Sequence, residues 1–92
     1  MKINWDQNKN EANLKKHGLS FEEAIEIFAD PNAIEIFDND HSENEDRYKI
    51  IGILQSRVIV LSLIFTERGQ TIRVISARKA NKEEKKIYEQ KR

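Results

Sequence analysis

Apolar residues recur along this chain with two different periods. Phe21, Ala24, Ile25 and Phe28 stand at i, i+3, i+4 and i+7, which predicts a helix with one buried stripe. Ser20 and Glu23 bracket its start as a capping box, and Pro31 disfavours helix at Asp30 and ends it. Ahead of it, residues 7 to 17 are polar, with Ala12 and Leu14 the main apolar positions. Asp6 as N-cap and Gly18 as stop predict a helix there, lying on the surface.

The remaining apolar runs have the length and composition of strands. KINW predicts a short first strand and Ala33 to Phe37 a second. Tyr48 to Leu54 and Val58 to Phe65 predict two more, joined by Gln55-Ser56-Arg57. VIVLSLIF is almost continuously apolar, as expected of a strand covered on both faces, and is expected at the centre of the sheet. A turn over Glu67 to Gln70 leads into IRVISAR, residues 72 to 78. Asn81, with Glu84 three residues later, caps a last helix that is mostly charged and offers only Ile87 and Tyr88 for apolar contact. The predicted order is β-α-α-β-β-β-β-α, an α+β fold with helices packed on an antiparallel sheet.

Length fits one small domain over residues 1 to 92. There is no cysteine, hence no disulfide framework and no thiolate metal site. No apolar run approaches the roughly 18 residues of a membrane span, and the N-terminus lacks a signal-peptide pattern. A cytoplasmic protein is expected. The formal net charge of zero conceals an asymmetry. Residues 1 to 46 carry twelve acids and four Lys/Arg, a balance of −8, and residues 47 to 92 carry the reverse, +8. The halves either neutralise each other on folding or offer a basic surface to an acidic partner.

Few catalytic patterns survive inspection. The acidic stretch DNDHSENED, residues 38 to 46, lacks the glycine and glutamate of a calcium loop, and His41 has no second histidine at ligand spacing. It reads as a solvated loop. No Ser-His-Asp or Cys-His arrangement is visible. His17 closes the first helix beside Lys15 and Lys16, either as a cation favourable to the helix dipole or as an imidazole able to move protons. The arginines say more. Strict alternation in IRVISAR puts Arg78 with Ile72, Val74 and Ser76, and Arg73 on the other face with Ile75 and Ala77. In RYKIIGIL it puts Arg47 and Lys49 in line with Ile51 and Ile53. Such cations either pair with Glu35, Glu45 or a helix acid, or they bind phosphate, which guanidinium holds through two parallel hydrogen bonds.

WDQNKNEANLKKHGLSFEEA (5 to 24), ENEDRYKIIG (43 to 52) and TERGQTIRVISARKANKEEKKIYE (66 to 89) together resemble the BrnT family, the ribonuclease toxins of type II toxin–antitoxin modules. The family's motif residues fall on Trp5, Asp6, Lys9, Asn13, Lys16, His17, Gly18, Glu45, Arg47, Arg68, Arg73, Ser76, Arg78 and Tyr88. The resemblance implies a RelE-like fold and endonucleolytic cleavage of RNA in the producing cell. RNA carries its own nucleophile and no His, Asp or Glu cluster has ligand spacing, so cleavage is expected to need no metal or cofactor. It also implies a BrnA-type antitoxin that covers the toxin and binds operator DNA. In that setting Arg47, Arg73 and Arg78 are expected on phosphate, and His17 or Glu45 transfers the proton. Lys9, Lys16 and Arg68 are expected to attract the RNA backbone, and Tyr88 to bond phosphate or stack on a base. The rival expectation is a binding module or co-repressor that uses the basic half to hold an acidic partner without catalysis.

Overall fold

The computed structural model describes residues 2–41 and 45–90, so Ser42 to Asn44 of the expected acidic loop lie outside the described residues. The elements are β1 (Lys2–Trp5), α1 (Gln7–His17), α2 (Phe21–Ala24, continued by a 3-10 turn over Ile25–Ala29), β2 (Ile34–Phe37), a 3-10 turn (Asn39–His41), β3 (Arg47–Leu54), β4 (Ile59–Arg68), β5 (Thr71–Lys79) and α3 (Lys82–Gln90). They form a mixed α+β structure with one five-stranded sheet in the order β1-β5-β4-β3-β2.

β4, the near-continuous apolar run, occupies the middle of the sheet as expected. The sheet is mixed, however. β2, β3, β4 and β5 pair antiparallel, but β1 runs parallel to β5, with Ile3 opposite Ile72 and Trp5 opposite Val74. A parallel pair needs a long crossover, and every element between β1 and β5 serves as that crossover. Alternation along KINW carries no information about strand direction.

One face of the sheet buries the core. Leu19, Phe21, Ala24 and Ile27 pack on Ile50, Leu54, Leu61, Leu63, Phe65, Ile72, Val74 and Ala77. Gly52 permits the close approach of the 3-10 turn, since a Cβ there would stand 3.1 Å from the Ile27 Cβ. All three predicted N-caps form. Asp6 accepts the N–H groups of Asn8 and Lys9, Ser20 accepts that of Glu23, and Asn81 accepts that of Glu84. The Glu23 carboxylate of the expected capping box bonds Arg57 instead. The helix after Ser20 tightens into 3-10 geometry at Ile25 and stops at Asp30, which adopts extended φ/ψ before Pro31.

α1 departs from its predicted anchoring. Ala12 and Leu14 are exposed, and the buried residues are Asn10 and Asn13. β1 pairs with β5 only as far as Val74, and Asn13 takes up the strand edge beyond. Its amide donates to the Ala77 carbonyl at 2.9 Å and accepts the Ala77 N–H at 3.0 Å. Asn10 likewise accepts the Phe21 N–H at 2.7 Å. Buried backbone groups require partners, and here two side-chain amides on a polar helix supply them.

The connection between β3 and β4 runs through Val58, which belongs to the turn rather than to the strand. Val58 is 74% exposed with φ at 54°, an unfavourable conformation for a β-branched residue. Arg57 beside it pairs with Glu23 at 2.8 Å and donates to the Gly18 carbonyl, tying this hairpin to the start of α2.

Candidate nucleic-acid interface

The second face of the sheet carries the cations, and a bulge in β5 decides which ones. Ile64 pairs with Ser76 but Phe65 pairs with Val74, so Ile75 is an extra residue opposite the step between them. Strict alternation would place Arg73 and Arg78 on opposite faces. The bulge inverts the alternation between them. Ile72, Val74 and Ala77 all point into the core, and Arg73, Ser76 and Arg78 share the other face. The expected separation of the two arginines is therefore corrected: they stand together with Arg47 and Lys49.

Register orders this face in rows. Arg47, Thr66, Arg73 and Asn4 align across β3, β4, β5 and β1. In the next row stand Lys49, Ile64 and Ser76, and in the one beyond it Ile51, Ser62 and Arg78. Between the cations lies an open cleft of about 330 Å³ lined by Asp38, Asp40, Arg47, Lys49, Ile64, Ile75, Ser76 and Arg78.

α3 closes the far end of this face with one carboxylate. Glu84, 5% exposed at its side chain, receives two guanidinium N–H groups from Arg78 at 2.8 and 3.0 Å and the Lys49 ammonium at 2.8 Å. The Ser62 hydroxyl at 3.2 Å and the Asn81 N–H at 2.9 Å complete the set. Burial, the largest single influence, pushes the Glu84 carboxyl up. The hydrogen bonds from Arg78, Lys49 and Asn81, with the Arg78 charge, together outweigh it and hold the group at about 2. Arg78 thus pairs with a helix acid, yet its Nε–H and one Nη2–H are not used by Glu84 or by the Lys79 carbonyl.

Arg73 differs. Its Nη1 donates to the neutral Asn4 Oδ1 at 3.1 Å, and among the described residues no carboxylate lies in salt-bridge range of it. Its charge is positioned without being neutralised. The Thr66 hydroxyl, between Arg73 and Arg47 in register, is buried without a hydrogen-bond partner among the described residues.

The other sequence-predicted residues fall elsewhere. Glu45 and Arg68 pair with each other, Nε to Oε2 at 3.3 Å and Nη2 to Oε1 at 3.2 Å, near the β4–β5 turn. His17, Lys9 and Lys16 ride on α1 at the β5 edge, and none of them lines the cleft. Tyr88 is 2% exposed, and its hydroxyl donates to Asp30 Oδ2 at 2.6 Å. That acceptor also takes the Ile53 N–H, so Tyr88 here fastens α3 to β3 rather than presenting a ring for stacking. Lys49, Glu84 and Thr66 were not among the predicted site residues. Alternation with Arg47 does signal Lys49. Glu84 is visible in sequence only as a capping residue, which it also is, since its N–H bonds Asn81 Oδ1 at 2.8 Å.

No helix among the described residues is long and apolar enough to cross a membrane. Among those same residues, no group of three His, Asp or Glu side chains converges to hold a metal ion. Compared with known proteins, residues 5–84 match the sequence model of a family described as "Ribonuclease toxin, BrnT, of type II toxin-antitoxin system". No curated protein matches the chain.

Proposed function

The chain belongs to the BrnT family of ribonuclease toxins of type II toxin–antitoxin systems, and we propose that its arginine-bearing sheet face is the surface that cleaves RNA. Membership implies an RNA target and an antitoxin partner. In our reading the partner is of the BrnA type, the fold is RelE-like, and the toxin acts in the cytoplasm of the cell that makes it.

RNA supplies its own nucleophile in the 2′-hydroxyl, so the protein must align that oxygen with the leaving 5′-oxygen and stabilise charge on the phosphorus. Arg47 and Arg73, one row of the sheet, flank the scissile phosphate. Arg78 adds its remaining N–H groups from the next part of the cleft. Donors fixed on strands need little reorganisation as charge develops, and each well-placed one contributes about 3–4 kcal/mol. Proton transfer is assigned to Glu45, two residues before β3, or to His17 at the end of α1, both of them outside the cleft lining. Lys9, Lys16 and Arg68 extend the positive surface toward the RNA backbone.

The observation that carries this reading is the β5 bulge, which brings Arg73 and Arg78 to the face of Arg47 and Lys49. It is tested by incubating the protein with RNA in EDTA. Cleavage is expected to persist, with products ending in 2′,3′-cyclic phosphate, and Arg73→Ala is expected to slow it by about 10²–10³. Activity lost in EDTA and restored by a divalent ion overturns the mechanism. Wild-type rates in folded Arg47→Ala and Arg73→Ala proteins place the site elsewhere.

A further inference from the structure

Thr66 sits at the centre of the Arg47–Thr66–Arg73–Asn4 row, on the strand in the middle of the sheet. The residue is fully buried, and among the described residues its hydroxyl is the one buried side-chain polar atom with no hydrogen-bond partner. A valine would fill the same volume on a strand, with equal β preference and no unmet hydroxyl. Folding alone therefore gives no reason for threonine at this position.

The neighbours supply one. Adjacent strands lie about 4.8 Å apart, so Arg47 and Arg73 rise from positions roughly 10 Å from each other, with the short threonine between them. An anion gripped by both guanidiniums lies over Thr66. We propose that Thr66 is a further phosphate-binding residue of the site: when a backbone phosphate of RNA draws the two arginines onto itself, the Thr66 hydroxyl is uncovered and donates to a phosphate oxygen. Asn4 completes the arrangement by holding the Arg73 guanidinium at 3.1 Å without neutralising it. The inference rests on the RNA-cleaving reading of the same face and adds to it the seat of the phosphate.

Three variants and two measurements test it. Thr66→Val removes the hydroxyl and keeps the shape, Thr66→Ser keeps the hydroxyl, and Arg73→Ala reports on the site itself. Each is compared with wild type for single-turnover cleavage at saturating protein, and for binding of a 2′-O-methyl RNA oligonucleotide that cannot be cleaved. Thr66→Val is expected to keep or raise the melting temperature while slowing cleavage about tenfold to a hundredfold, the effect of losing one hydrogen bond to a charged group. Thr66→Ser is expected to recover most of the rate. Wild-type cleavage and binding by Thr66→Val, with Arg73→Ala defective, would overturn the role of Thr66 and leave the RNA-cleaving face standing. A Thr66→Val protein that fails to fold would make the hydroxyl structural and overturn it equally. Wild-type protein that neither binds nor cleaves RNA would remove both.

Discussion

Replacing Glu84 by glutamine removes one charge from the cluster beneath α3 and preserves its shape. The Glu84 carboxyl is held at about 2 against an ordinary 4.5. At 1.36 kcal/mol per pH unit, that displacement corresponds to roughly 3 kcal/mol of stability at neutral pH. Lys49 and Arg78 keep 28% and 39% of their side chains in solvent, which screens the interaction and lowers the expectation to about 2 kcal/mol. For a chain of this length the melting temperature should fall by about 8–16 °C. Because the folded-state value lies below the unfolded one, the contribution is complete above pH 4.5 and disappears as pH falls toward 2. Urea unfolding of wild type and Glu84→Gln at several pH values from 7 to 3 isolates it, since every other carboxylate titrates in both proteins. The difference between them should drop by pH 3 to less than half its value at pH 7. A difference that is equal at pH 7 and pH 3 would refute the cluster as an electrostatic anchor of α3.

Other expectations concern the edge amide, the strained turn and the arginine geometry. Asn13→Ala leaves the Ala77 N–H and carbonyl without partners and should cost about 3 kcal/mol in urea unfolding; a loss under 1 kcal/mol would mean that the strand edge is satisfied in another way. Val58→Asn relieves a β-branched residue of φ 54° and should stabilise by about 1 kcal/mol, seen as a higher melting temperature with cleavage unchanged. Arg73→Lys should recover only part of the cleavage lost in Arg73→Ala, because lysine keeps the charge but not the two-pronged geometry. Full recovery would show that Arg73 acts as a point charge.

Much of the secondary structure was legible because its causes are local. The caps at Asp6 and Ser20, the stop at Gly18 and the break before Pro31 depend on residues within a turn of one another. The identity of the central strand followed from the length of one apolar run. The cationic character of the candidate face was legible too, since arginine interrupts strands that are otherwise apolar. Its assembly was less so. Tyr88 looked like a ring available for stacking, and its burial depends on Asp30, 58 residues away. Glu45 was expected to pair with a strand cation or to transfer a proton, and its partner is Arg68, at the far end of β4.

What the sequence by itself determined, then, is which segments are helix or strand, and which strands carry charge. Hydrogen bonds and periodicity within a few residues are sufficient for that. Only the tertiary structure decided that Arg73 and Arg78 share a face. The bulge at Ile75 exists because β5 must match β4 on one side while keeping Ile72, Val74 and Ala77 in the core, a constraint that no single strand expresses. Tertiary structure likewise turned Asn13 from a surface amide into the partner of a distant strand edge, and Glu84 from a helix cap into the counter-charge of Arg78 and Lys49. For Asn13 and Glu84 the deciding force is the need to satisfy buried polar groups, and their partners are chosen by packing across the sheet rather than by position along the chain.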